Sequence, residues 1–392
     1  MKNTTIEHTI ISLVKSAIDG SIAVIPEDIN WEELFKIGKI HKLTPLLYRG
    51  ITNSSLSVPD EFQDYFDKSL LSYFVVDQRQ LFELSRLQKA FEENSIDYMP
   101  VKGIVLKPLY PSTEFRPMGD GDILIRLSQK NKVFEIMNKL GYSEKIESPH
   151  EFVFVKEGMC IELHKCLIPP YNKDYYEYYG DGWKLANKDK ATSRHFLNDN
   201  DHYIYMFTHF AKHYRDGGIS ALHIVDFWVY TRAKSIDKEY VNAELKKLEL
   251  DNFHDNVVAT MNAWFNDGPT SEMTEFVTRR IFDNGAWGTR ETKLMAVGVK
   301  TSKSGSGKHI GLRRMLRLIF PKAESLQYSF PILKKCKLLL PFLWVVRWFE
   351  VLLFKRERLN DRIGEVKQMD ENNVSAYQNE LNYVGLDFNF KE

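Results

Sequence analysis

Cysteine is scarce in this 392-residue chain, with only Cys160, Cys166 and Cys336, and none of them forms a CxxC pair. That excludes a disulfide framework and a thiolate zinc site, and the compartment expected is a reducing cytoplasm. Net charge is missing too. Lys and Arg total 53 against 53 Asp and Glu, so no global field draws the molecule onto nucleic acid, and a nucleic-acid partner is not expected. No apolar run is long enough for a membrane span: the best, residues 338–354, is interrupted by Pro341, Arg347 and Glu350, where a spanning helix needs about 20 predominantly apolar residues. The amino terminus has no uninterrupted signal-peptide core, because Glu7, His8 and Lys15 break it into an amphipathic helix. What is present is a globular composition, 43% hydrophobic, 27% charged and 13% aromatic, at a length that suggests two or three domains.

Periodicity divides the chain into three. Residues 1–95 show helical spacing, with Trp31, Leu34, Phe35 and Ile37 in one stripe and Leu81, Leu84, Leu87 and Phe91 in another, which predicts a helical N-terminal region. Residues 96–195 change to short apolar runs at 96–101, 123–125, 152–155 and 159–163, read as strands. Between them Val133, Ile136, Met137 and Leu140 predict a helix, started by Ser128 as N-cap and stopped by Gly141. Gly158 supplies the positive φ for a tight hairpin turn, and Pro100 pushes its strand to an edge or an early end. From 196 to 392 helical spacing returns, with one helix from Asp201 to Tyr214, a break at Gly217-Gly218, and a second helix to about Thr231. The fold class expected is α+β, a mixed α/β core at 96–195 flanked by N- and C-terminal helical regions. Residues 300–308, KTSKSGSGK, read as a mobile loop. They fail the P-loop pattern, which needs Gly at Ser302 and Ser or Thr at His309.

The chemistry lies in the middle region. Asp120 and Asp122, one residue apart at the head of a strand, point to the same face and attract a divalent cation. Magnesium suits such a pair, because it prefers one or two carboxylates together with substrate phosphates. Glu162 lies on a later strand and shares a face with Cys160 and His164. If the two strands are neighbours, Glu162 completes a three-acid site of the kind that holds two ions for phosphoryl or nucleotidyl transfer.

Lys102-Gly103, Leu109-Tyr110-Pro111, Arg116-Pro117-Met118, Asp120-Gly121-Asp122, Gly141-Tyr142 and Glu162-Leu163-His164 together resemble the bacterial uncharacterised nucleotidyltransferase family, within the DNA polymerase beta-like nucleotidyltransferase superfamily. The resemblance extends to residues 31–41 and 45–48 upstream, and to His209, Asp226 and 340–347 downstream. It implies a minimal palm-like core that binds a nucleoside triphosphate such as ATP with magnesium and transfers its nucleotidyl group to an acceptor. Asp120, Asp122 and Glu162 would then be the catalytic and metal-binding acids. Lys102, Gly103, Arg116, Gly119 and His164 would contact the nucleotide, with Gly103 letting a helix N-terminus approach the phosphates. Two residues depart from the superfamily pattern. Ile104 stands where a hydroxyl or glycine usually follows Gly103, and Gly121 stands where an apolar anchor usually separates the aspartates.

Several of these residues have structural alternatives. Arg116 either neutralises phosphate or braces the acids, and His164 is either a substrate contact or a structural histidine. His209, His213, His223 and Asp226 resemble a metal-ligand layout, but a buried His–Asp hydrogen bond between two helices is the expectation preferred. Trp344, Val345, Trp348, Val351 and Leu352 read as packed core. The basic residues around 338–358 also allow peripheral contact with an anionic membrane. For the whole chain, the alternatives are a glycosyltransferase that uses the same Asp-x-Asp with a nucleotide-sugar, and a degenerate nucleotide-binding or regulatory module. The acceptor is left open among a small molecule, a sugar and a protein side chain.

Overall fold

In the computed structural model, which describes residues 6–23, 25, 26, 28–54, 57–302, 316, 319–327, 329–354 and 371–388, helices build the amino-terminal region: α1 (Ile6–Asp19), α2 (Trp31–Ile40), α3 (Thr44–Thr52) and α4 (Asp60–Glu93). Asn30 caps α2 by accepting the Glu33 N–H at 3.1 Å, and Leu34 and Phe35 are buried on its inner face. The 34-residue α4 presents Leu84, Leu87 and Phe91 to the core of the sheet.

That sheet has five strands, β1 (Tyr98–Pro100), β2 (Gly121–Ile125), β3 (Ser143–Glu147), β4 (Glu151–Lys156) and β5 (Met159–His164), in the order β1-β2-β5-β4-β3. Only β2 and β5 are parallel neighbours; the other pairs are antiparallel. Pro100 ends β1 at the sheet edge, where its missing N–H leaves no gap in a ladder. A short helix, α5 (Gly103–Leu106), follows it, and α6 (Lys130–Lys139) buries Val133, Ile136 and Met137 on the sheet. Glu157 and Gly158 both adopt positive φ (41° and 82°), forming the two-residue turn that joins β4 to β5.

The structure differs from expectation at three places here. Ser128 is not the cap of α6; it lies in a 3-10 turn, Leu127–Gln129, and Gln129 takes the cap position without a side-chain bond. β3 was not expected, because its Ser-Glu-Lys-Ile-Glu sequence is almost wholly exposed on an edge and lacks an apolar face. The pair β6 (Asn187–Lys188) and β7 (His195–Phe196), which follows α7 (Lys173–Tyr179), is too short to leave a periodic signal.

Helices then continue as α8 (Asp199–Arg215), α9 (Leu222–Ala233), α10 (Lys238–Lys247), α11 (Asp251–Phe265) and α12 (Glu272–Asn284). Phe207 and Phe210 of α8 meet Phe227 of α9 at ring separations of 5.6 and 5.5 Å, and Phe210 stacks on Phe253 of α11 at 5.8 Å. The chain divides into two compact units. One comprises residues 1–214, 218–288 and 384–386; the other comprises 215–217, 289–383 and 387–392.

In the second unit α13 (Arg290–Ser302) contacts the helix Glu371–Tyr383, with Gly298 tight against Val374. The stripe expected as packed core on the helix Leu340–Phe354 is divided: Leu343 is buried and Trp344 donates to the Pro321 carbonyl at 2.9 Å, while Phe342, Val345 and Phe349 are exposed. Among the described residues no helix is long and apolar enough to cross a membrane. The loop expected at 300–308 lies outside the described residues from 303 onward, as do the basic residues 355–358.

Two deeply buried histidines set an expected pH dependence. His41 is wholly inaccessible; its Nδ1 accepts the Ala221 N–H at 3.1 Å and its carbonyl accepts the Ser220 hydroxyl at 2.6 Å. Burial lowers the pKa of His41 to about 4, and burial does the same to His202. Unfolded, each takes up a proton near its ordinary pKa of about 6.5, so the unfolded chain binds more protons between that value and 4. Stability should be intact above that range and fall as pH drops through it, by up to about 3 kcal/mol per histidine. Urea midpoints at pH 7.5, 6 and 5 check this, and a flat profile would contradict it.

Candidate active site

Parallel pairing of β2 with β5 sets Asp122 directly opposite Glu162 and Leu124 opposite His164. Glu162 and His164 are two residues apart on one strand and so project to the same face. Ligand atoms of Asp122, Glu162 and His164 all lie within 4.8 Å of one another. Asp120 sits just before β2, two residues from Asp122, and lines the same cleft.

Asp122, 3% exposed, is the hub. Its Oδ1 accepts from Lys102 Nζ at 2.6 Å and from His164 Nε2 at 2.7 Å, and His164 Nε2 stands 3.7 Å from Glu162 Oε2. Burial works against ionisation of Asp122, but the Lys102 ammonium and the His164 bond outweigh it and hold the carboxyl well below the usual range. The other two acids move the opposite way. Burial, then the charges of Asp122 and Asp120, raise Glu162 to about 8, and burial with Asp122 raises Asp120. Crowded carboxyls that resist common ionisation are a donor set a hard dication fits, because it supplies the charge that lets all of them ionise.

The remaining expected residues line the same cleft, a cavity of about 360 Å³. Lys102 holds a positive φ of 52°, a conformation that costs a non-glycine residue about 1–3 kcal/mol, and it directs its ammonium onto Asp122. Gly103 opens α5 with Met118 close against it, and Gly119 is exposed beside Lys42. Arg116 donates from Nε and Nη2 to the two oxygens of Asp226 at 3.0 and 2.8 Å, and Tyr110 adds its hydroxyl to the same carboxylate at 2.7 Å. Asp226 therefore pairs with Arg116 and Tyr110 rather than with a histidine. A fixed guanidinium presents two parallel donors to a carboxylate, which a neutral imidazole cannot match. His209 and His213 contact each other at 3.1 Å, and His223 faces the Ser220 carbonyl at 3.2 Å.

The two departures, Ile104 and Gly121, belong to one packing arrangement. A Cβ at Gly121 would lie 2.9 Å from Ile161, 3.2 Å from Leu84 and 3.5 Å from Ile104. The space an apolar residue between the aspartates would fill is occupied by neighbouring side chains.

Lys42, at the end of α2, and Trp287, after α12, also line the cleft and were not singled out in the sequence. In the sequence Lys42 lies between the segments 31–41 and 45–48 that carry the family resemblance, but a lone lysine there announces no chemistry of its own.

The chain belongs to the uncharacterised nucleotidyltransferase family, which matches residues 27–266, more than half its length and including the whole five-stranded sheet. Membership supports nucleotidyl transfer as the general activity, with a nucleoside triphosphate as substrate. No curated protein and no solved structure matches the chain significantly.

Proposed function

We propose that this protein transfers a nucleoside monophosphate from a nucleoside triphosphate, with magnesium, to a hydroxyl of an acceptor. The observation that carries the reading is the β2–β5 register, which sets Asp122 against Glu162 with Asp120 beside them in one cleft. Asp120, Asp122 and Glu162 would hold the magnesium, as a two-ion site. Bound there, it would offset charge on the triphosphate and favour ionisation of the attacking hydroxyl. The acceptor oxygen bonds to the α-phosphorus, pyrophosphate leaves, and Glu162 takes the hydroxyl proton. Lys102 and Arg116 keep the phosphate side cationic, Gly103 and Gly119 leave it free of side chains, and His164 orients Asp122.

Residues 96–195 form the catalytic core in this reading, with the flanking helices of 1–95 and of 196–288 shaping the acceptor side. A small metabolite, a sugar or a protein side chain suits a cleft of this size better than nucleic acid, whose binding would call for a basic surface. Three free thiols accord with a cytoplasmic setting. The exposed apolar residues Leu338, Phe342, Val345 and Phe349 support additional peripheral contact with a membrane surface.

Thermal stabilisation by each of four nucleoside triphosphates, with and without magnesium, tests the proposal. A nucleotide at 100 times its dissociation constant should stabilise the fold by about 2.7 kcal/mol, and turnover should release pyrophosphate. Absence of any shift in folded protein would reject the nucleotide site. Turnover of nucleotide-sugars without pyrophosphate release would point to the glycosyltransferase instead.

A further inference from the structure

Resting on the nucleotide site just proposed, we infer that Lys42 and Trp287 complete it, with the Lys42 ammonium taking the outer phosphates and the Trp287 indole stacking the base. Two other cations of the cleft are already committed to carboxylates, Lys102 to Asp122 and Arg116 to both oxygens of Asp226. Lys42 Nζ feels the charge of Asp120 but makes no ion pair with it, and stands 5.6 Å from the Trp287 ring, beside Gly119, where a Cβ would come within 3.3 Å of it. A cation resting over an aromatic ring gives up little on meeting phosphate.

The backbone at both positions is held by close packing. Lys42 has a left-handed φ of 58° and follows His41, whose carbonyl and Nδ1 are bonded to Ser220 and Ala221. The Leu43 N–H closes the turn on the Gly38 carbonyl at 2.7 Å. Trp287 sits on the turn after α12, where Gly288 packs so closely on Gly218 that a side chain at 218 would collide with it, and where Gly285 abuts Ile40. Even so, the indole is 70% exposed. A large ring open to solvent at the lip of the cleft gains contact when a flat ligand covers it. Lys42 and Trp287 are close enough for one mononucleotide to touch both. Stacking on such a ring tolerates any base.

Calorimetric titration of the full chain with magnesium and either a nucleoside triphosphate or inorganic tripolyphosphate separates the two roles. Lys42→Met should weaken both ligands about tenfold, with Lys42→Arg recovering most of the loss. Trp287→Ala should weaken the nucleotide about tenfold and leave tripolyphosphate unchanged, while Trp287→Phe binds like wild type. Melting curves establish that each variant is folded. Unchanged nucleotide binding in Lys42→Met and Trp287→Ala would overturn the inference, and so would an equal loss of tripolyphosphate in Trp287→Ala, which would reduce the indole to a support for Lys42. A wild-type protein that binds none of the triphosphates fails at the earlier step, rejecting the nucleotide site itself and this extension with it.

Discussion

Asp122→Asn will destabilise the metal-free protein, Asp120→Asn will stabilise it slightly, and either change will abolish transfer. The two aspartates are one residue apart but differ in their surroundings. Asp122 neutralises Lys102 and accepts the His164 N–H on the same oxygen, so its loss leaves an ammonium in a buried setting without its carboxylate, at a cost of about 2–4 kcal/mol. Asp120 is compensated only in part: burial and the charge of Asp122 disfavour its ionised form and outweigh the nearby charges of Lys102, Lys42 and His164, and a neutral amide relieves that opposition. Transfer should fall at least 100-fold in each, because both carboxylates face the triphosphate. Urea unfolding and pyrophosphate release measure the two effects separately. Equal destabilisation by the two substitutions would show that the electrostatic difference between them is not real.

Lys107→Met should cost about 3–5 kcal/mol, the largest stability loss expected from any single change described here. Lys107 and Asp77 form an ion pair whose side chains are each 2% exposed, and Thr113 adds its hydroxyl to Asp77 at 2.7 Å and its carbonyl to Lys107 at 3.2 Å. The pair joins α4 to the segment that leads into Arg116 and the first aspartate. Removing the lysine alone strands a buried carboxylate. Replacing both partners, as Lys107→Met with Asp77→Leu, should restore most of the stability, because a packed apolar pair has no desolvation cost to recover. A double variant as unstable as the single one would mean that the loss comes from packing volume and not from charge.

The acids were legible in the sequence because their geometry is local: alternate residues of a strand share a face, and the β2 and β5 runs are apolar enough to read as strands. That these strands are parallel neighbours is a tertiary fact the spacing only permitted. β3 escaped notice because an exposed edge strand has no need of apolar residues, and Ser128 misled because a 3-10 turn took up the chain before α6 began. Asp226 appeared suited to a histidine because the histidines were near it in sequence. Its partner Arg116 lies 110 positions away, a distance no periodicity reports. Lys42 and Trp287 are silent for the same reason, since each stands in a turn just past a helix, 245 positions from the other, where no periodicity runs.

The shared space around Gly121 ties position 121 to its cross-strand partner 161 as a single evolutionary variable. A side chain between the aspartates meets Ile161 at 2.9 Å and Leu84 at 3.2 Å, while Ile104 at 3.5 Å is in ordinary contact, so a change at 121 alone meets a barrier that a paired change at 161 avoids. Homologous sequences should accordingly exchange volume between positions 121 and 161 in opposite directions, and a substitution at 121 judged harmful in this background should be tolerated where residue 161 is small.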